Sequence, residues 1–73
     1  MTRGRITELG DSYGFIEPRE GGEKVFFRRS VLENAKFGEL EVGMIVEYEA
    51  EQGPRGWRAT VVRYRFLNPY NFV

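Results

Sequence analysis

Tyr13-Gly14-Phe15-Ile16 and Val25-Phe26-Phe27-Arg28-Arg29-Ser30 decide how this chain is read. Each stretch puts aromatic rings at alternate positions, and alternate residues of a strand point to one face. Tyr13 and Phe15 then share a face, while Ile16 takes the other. In the second stretch Phe26 and Arg28 share a face, while Val25 and Phe27 point opposite. Ile16, Val25 and Phe27 make the better core set, so Tyr13, Phe15, Phe26 and Arg28 are expected on the outside. A slip of one residue would invert this and expose Ile16. A strand pair with rings and arginine on an open face is a platform on which unpaired bases stack.

Glycines and prolines cut the rest of the chain into short pieces. Gly4 to Leu9 reads as a first strand and Gly10-Asp11-Ser12 as a tight turn. Tyr13 to Glu17 is a second strand closed by Pro18. Residues 19–23 form a polar hairpin loop around the Gly21-Gly22 pair. Lys24 to Arg28 is a third strand. Residues 30–43 read as an irregular connection with at most one helical turn, which Ser30 caps with Glu33 in a capping box. Met44 to Glu51 alternates Met44, Val46, Tyr48 and Ala50 with Ile45, Glu47, Glu49 and Glu51, which predicts one buried and one wet face. Gln52 to Gly56 is a turn-rich loop, and Trp57 to Arg63 is the last core strand. Five short strands with one long connection predict an all-β fold, a small closed barrel. Closure removes sheet edges that invite aggregation. A five-stranded Greek-key barrel of the oligonucleotide-binding type fits, and on pattern alone an SH3-like barrel fits almost as well.

The chain has 73 residues, enough for one small domain with a modest core. It contains no cysteine and no histidine. A disulfide, a thiolate metal site and a histidine general base are therefore excluded. No nucleophile–base pair, metal spacing or phosphate loop is visible, so the expectation is a protein that is not an enzyme and holds no cofactor or metal. No apolar run approaches a membrane span and no signal peptide is expected, which points to the cytoplasm. Formal net charge is zero, with 11 basic and 11 acidic residues, but the signs are segregated. Residues 33–51 carry Glu33, Glu39, Glu41, Glu47, Glu49 and Glu51 against Lys36, whereas residues 52–73 carry Arg55, Arg58, Arg63 and Arg65 and no acid. Arginine predominates among the cations, and arginine both stacks on rings and forks onto phosphates.

The motif residues separate the two barrels. Ser12-Tyr13-Gly14-Phe15-Ile16 and Val25-Phe26-Phe27-Arg28-Arg29-Ser30 resemble the two ribonucleoprotein motifs of the cold-shock domain family. The resemblance continues through Phe37, Leu40-Glu41-Val42-Gly43, Val46-Glu47-Tyr48 and Gly53-Pro54-Arg55-Gly56. It implies a cold-shock-type oligonucleotide-binding barrel over residues 1–63. There are departures. Thr7-Glu8-Leu9 stands where the family usually has Lys-Trp-Phe, so a stacking ring is replaced by a carboxylate. The following loop is shorter, and the usual lysine before the second strand has no counterpart. Arg28 and Arg29 stand where the family usually has histidine and phenylalanine. The chain is most similar to a divergent subgroup with a comparable first strand.

The resemblance implies binding of single-stranded RNA or DNA with low sequence specificity, in an RNA-chaperone or gene-regulatory role. The expected interface comprises Tyr13, Phe15, Phe26, Arg28, Arg29, Phe37, Arg55, Trp57 and Arg58. Phe37 is equally readable as a plug for the barrel end, and Trp57 is readable as packing. Arg55 and Arg58 are expected to meet phosphates, because no acid lies near them in the local sequence. Residues 64–73 are a separate aromatic tail with Tyr64, Phe66, Tyr70 and Phe72. They are expected to pack on the barrel of a monomer or, as second choice, to self-associate. The rival function is a protein-interaction module that uses this tail.

Overall fold

The alternation in the sequence becomes a closed, all-β barrel. The computed structural model describes residues 1–64. Its strands are β1 (Thr2–Leu9), β2 (Tyr13–Pro18), β3 (Val25–Arg28), the two-residue β4 (Leu32–Glu33), β5 (Ile45–Gly53) and β6 (Gly56–Tyr64). β1, β2 and β3 form an antiparallel meander; β5 pairs with the other side of β1, and β6 returns along β5. A parallel contact of Phe26 with Arg58 joins β3 to β6 and closes the ring. This is the expected five-stranded barrel of the oligonucleotide-binding fold, with β4 as an addition.

The core follows the inward half of the alternation. Ile6, Ile16, Phe27, Val46 and Val62 are fully buried, joined by Val25, Tyr48, Ala59 and Leu40. Each fully buried valine, isoleucine or phenylalanine contributes roughly 1.5–3 kcal/mol by leaving water. Gly14 lies on the same inner face. A Cβ there would sit 2.6 Å from Cε1 of Phe27, so the glycine between the two rings of the first motif makes room for the largest core side chain. The Tyr48 ring completes the core beside Val46, and burial pushes its phenol above the ordinary tyrosine range.

Several boundaries differ from the sequence reading. The last loop is tighter than expected: Gly53 pairs with Gly56, leaving Pro54 and Arg55 between them. The long connection holds two short 3-10 turns, Arg29–Val31 and Phe37–Glu39, with β4 between them running parallel to β6. Ser30 does not cap the first turn: the cap position is Arg28, without a side-chain bond. Glu33 is drawn elsewhere, because β4 brings its carboxylate to Nε of Arg63 at 2.8 Å, a charge-assisted bond. Tyr64, read as the start of the tail, is the last residue of β6, opposite Val46, and packs on the core. The remaining tail, and with it the expectations of packing or self-association, lies outside the described residues.

Candidate nucleic-acid interface

Cross-strand register builds the site. Residues directly opposite in a sheet share a face. Phe15 lies opposite Phe26, and Phe26 is matched to Arg58. One row therefore crosses the closed side of the barrel from Phe15 through Phe26 to Arg58. Tyr13 lies opposite Arg28 in the next row. The rings of Tyr13 and Phe26 are stacked, with centroids 5.9 Å apart and planes at 23°. Phe15 meets both edge-on, at 6.2 Å from Tyr13 and 5.6 Å from Phe26. The guanidinium of Arg28 stands 5.7 Å above the Phe26 centroid, within range for a cation–π contact.

These rings are held in place before any ligand arrives. The N–H of Gly10 donates to the carbonyl of Tyr13 at 2.8 Å, and a Cβ at Gly10 would collide with the Tyr13 ring. The turn thus seats that ring against bare backbone. The N–H of Arg29 donates to the carbonyl of Ser12, also at 2.8 Å, which ties the end of β3 to the start of β2. Tyr13 keeps 37% of its surface exposed, and Phe15 and Phe26 are half-buried.

The β5–β6 turn forms the opposite wall of an open cleft of about 510 Å³, lined by Phe15, Phe26, Arg28, Pro54, Arg55, Trp57 and Arg58 among others. Trp57 is 38% exposed. It stands at a lip, bordering this cleft and a neighbouring hollow beside Val25, Tyr48 and Ala50. Seven of the expected interface residues therefore lie together: Tyr13 with the stacked rings, and Phe15, Phe26, Arg28, Arg55, Trp57 and Arg58 around the cleft. Arg29 and Phe37 are separate. They line another hollow with Asp11 and Lys36, and the Phe37 ring is also packed on the core, 6.3 Å from Phe27.

Two acids lie on this side, and the pairing of one of them escaped the sequence reading. Glu51 pairs with Arg58 across β5 and β6, accepting from Nη2 at 2.7 Å and from Nε at 3.0 Å. The expectation that Arg58 has no carboxylate neighbour is thus corrected. The pair is largely exposed, so it costs little to exchange Glu51 for a phosphate. The signal was available: each residue is two positions from its end of the Gly53/Gly56 turn. Glu8 lies opposite Phe15, because β1 shifts register between Ile6 and Glu8. The carboxylate thus occupies the platform position at which the expected family places a ring. No group of three or more potential ligands able to hold a metal occurs among the described residues.

The barrel and its ringed face define a small oligonucleotide-binding domain. The family model of the 'Cold-shock' DNA-binding domain matches residues 2–64, and the chain belongs to this family, whose members generally bind nucleic acid. It is 36% identical over 64 residues to the cold shock-like protein CspD of Escherichia coli K12, covering 85% of this chain and 86% of that protein. It is 37% identical over 65 residues to the cold shock-like protein CspA of Stigmatella aurantiaca, covering 86% and 96%. With the cold shock-like protein CspJ of Salmonella typhi it shares 41% identity over 44 residues, 60% of this chain and 63% of that one. Among solved structures, drosophila Unr CSD456 is similar in fold, with a TM-score of 0.72 and 23% identity; the match covers 99% of this chain and 28% of that chain.

Proposed function

We propose that this domain binds single-stranded RNA or DNA by stacking successive bases on Tyr13, Phe26 and Phe15 while arginines hold the backbone. The observation that carries the reading is the contiguous, outward-facing three-ring cluster with Arg28 over one ring. Every base has a π-face, and each stack contributes about 1–3 kcal/mol, so stacking of this kind is tolerant of sequence. Arg28 and Arg55 border the cleft, and Arg58 joins them when a phosphate displaces Glu51. Arg29 and Phe37 would take a nucleotide beyond Tyr13, in the adjoining hollow with Lys36. Trp57 would close the cleft rather than carry a base.

A single strand held this way cannot re-pair, so binding shifts RNA hairpins toward the open form. That is the basis for an RNA-chaperone or gene-regulatory role, exercised by a cytoplasmic monomer without enzymatic activity. The described residues contain no helix long and apolar enough to cross a membrane. The test is a titration of Trp57 fluorescence with pyrimidine-rich oligonucleotides of about seven nucleotides at two salt concentrations. Saturable binding that weakens by roughly 0.7 log units per log salt for each phosphate contacted is expected. No saturable binding at low salt would refute the proposal.

A further inference from the structure

We infer that Glu8 makes one position of the platform select guanine; this rests on the stacking mode proposed above. The register shift at Thr7 is what brings Glu8, rather than Thr7, opposite Phe15. Side chains so placed stand about 5 Å apart at Cβ, within reach of a base lying on the Phe15 ring. Glu8 is exposed, and its carboxylate has no hydrogen-bond or ion-pair partner among the described residues. Two other acids on this side are engaged: Glu51 by Arg58 at 2.7 Å, and Glu17 by Arg5 at 3.6 Å. Glu8 is therefore an open acceptor at the rim of a stacking ring.

The chemistry of the four base edges decides which ligand fits. A carboxylate only accepts, through two oxygens side by side. On the Watson–Crick edge guanine presents N1–H and N2–H as adjacent donors, a match for both oxygens. Uracil and thymine present one N–H flanked by two carbonyl oxygens, which the carboxylate repels. Adenine and cytosine present one amino group beside a ring-nitrogen lone pair. Unpaired bases are read on these edges, and hydrogen bonds to a charged partner are the strong ones. Glu51 and Glu17 are each paired to an arginine, and Phe15, Phe26 and Arg28 offer no side-chain acceptor, so selection is assigned to the base over Phe15.

The experiment uses a thymine oligonucleotide of about seven nucleotides in which guanine replaces thymine at each position in turn. At one position guanine should tighten binding about tenfold over thymine, as a good bidentate contact does. Inosine, which lacks the N2 amino group, should keep only part of that gain, and 7-deazaguanine, whose Watson–Crick edge is intact, should keep all of it. Glu8→Ala should abolish the guanine preference, and Glu8→Gln, which has one acceptor oxygen, should reduce it. A preference that survives Glu8→Ala, or no preference at any position while the oligonucleotides still bind, overturns the assignment and leaves the stacking mode standing. If none of the oligonucleotides binds, the stacking mode fails and the assignment falls with it.

Discussion

Phe26 and Phe27 are neighbours in sequence and should respond to truncation in opposite ways. Phe27 is fully buried beneath Gly14, in contact with the core and with Phe37. Phe27→Ala removes a complete ring from a closed barrel and should cost about 3–5 kcal/mol. A domain of this size has roughly 4–11 kcal/mol in all. At roughly 4–8 °C per kcal/mol, the melting temperature should fall by about 12 °C or more. Phe26 instead stands on the outer face, half-buried, touching Tyr13, Phe15 and Arg28. Phe26→Ala loses ring–ring contacts worth about 0.5–1.5 kcal/mol each beyond their buried area, and the solvent-exposed pairs lie at the low end. It also loses one base stack of about 1–3 kcal/mol, so affinity should drop by roughly 5- to 150-fold. Urea unfolding followed by circular dichroism measures the first effect, and oligonucleotide titration followed by Trp57 fluorescence the second. A Phe26→Ala protein that unfolds readily, beside a Phe27→Ala protein that is stable but does not bind, would show that the faces are assigned the wrong way round.

Other outcomes follow from the same geometry. Glu8→Trp should restore a ring beside Phe15, tighten binding about tenfold and erase the guanine preference; unchanged affinity in a folded variant would place residue 8 off the bound strand. Glu51→Gln should release Arg58, tighten binding about two- to fivefold and steepen the salt dependence; an unaltered salt slope would mean that Arg58 meets no phosphate. Affinity should stay flat between about pH 6 and 8.5, because the chain has no histidine to change charge there; a step near pH 6.5 would contradict it. Tyr48, whose phenol burial holds above the ordinary range, contributes stability that is present below about pH 10 and lost as pH rises through its folded value. Tyr48→Phe should remove that part of the alkaline loss, as seen in unfolding curves at rising pH.

Much of the barrel was legible because strands with one wet face alternate. Ile16, Val25 and Phe27 declared themselves as core against Tyr13, Phe15 and Phe26, and the structure keeps that division. Val46 and Tyr48 were legible in the same way. What escaped were facts of register. The Glu51–Arg58 pair depends on whether the turn after β5 has two residues or five, and a run containing Gly53, Pro54 and Gly56 permits both readings. β4 escaped because two residues are too few to show a period. The resemblance already put Glu8 in the place of a stacking ring, but the bulge at Thr7 that sets it opposite Phe15 escaped, because threonine carries no signal for it. Phe37 opens a 3-10 turn of three residues, too short for any alternation to assign its face; it proves to be shared between the core and an open hollow.

Amide shift mapping with a single-stranded oligonucleotide bears most directly on the platform. On addition of the oligonucleotide, the signals of Tyr13, Phe15, Phe26, Arg28 and Arg55 should move together and saturate at one equivalent. Those of Ile45, Glu47 and Glu49, on the outward side of β5, should stay in place. Shifts centred on β5, or none at all under low salt, would contradict the assignment of the ringed face as the nucleic-acid interface.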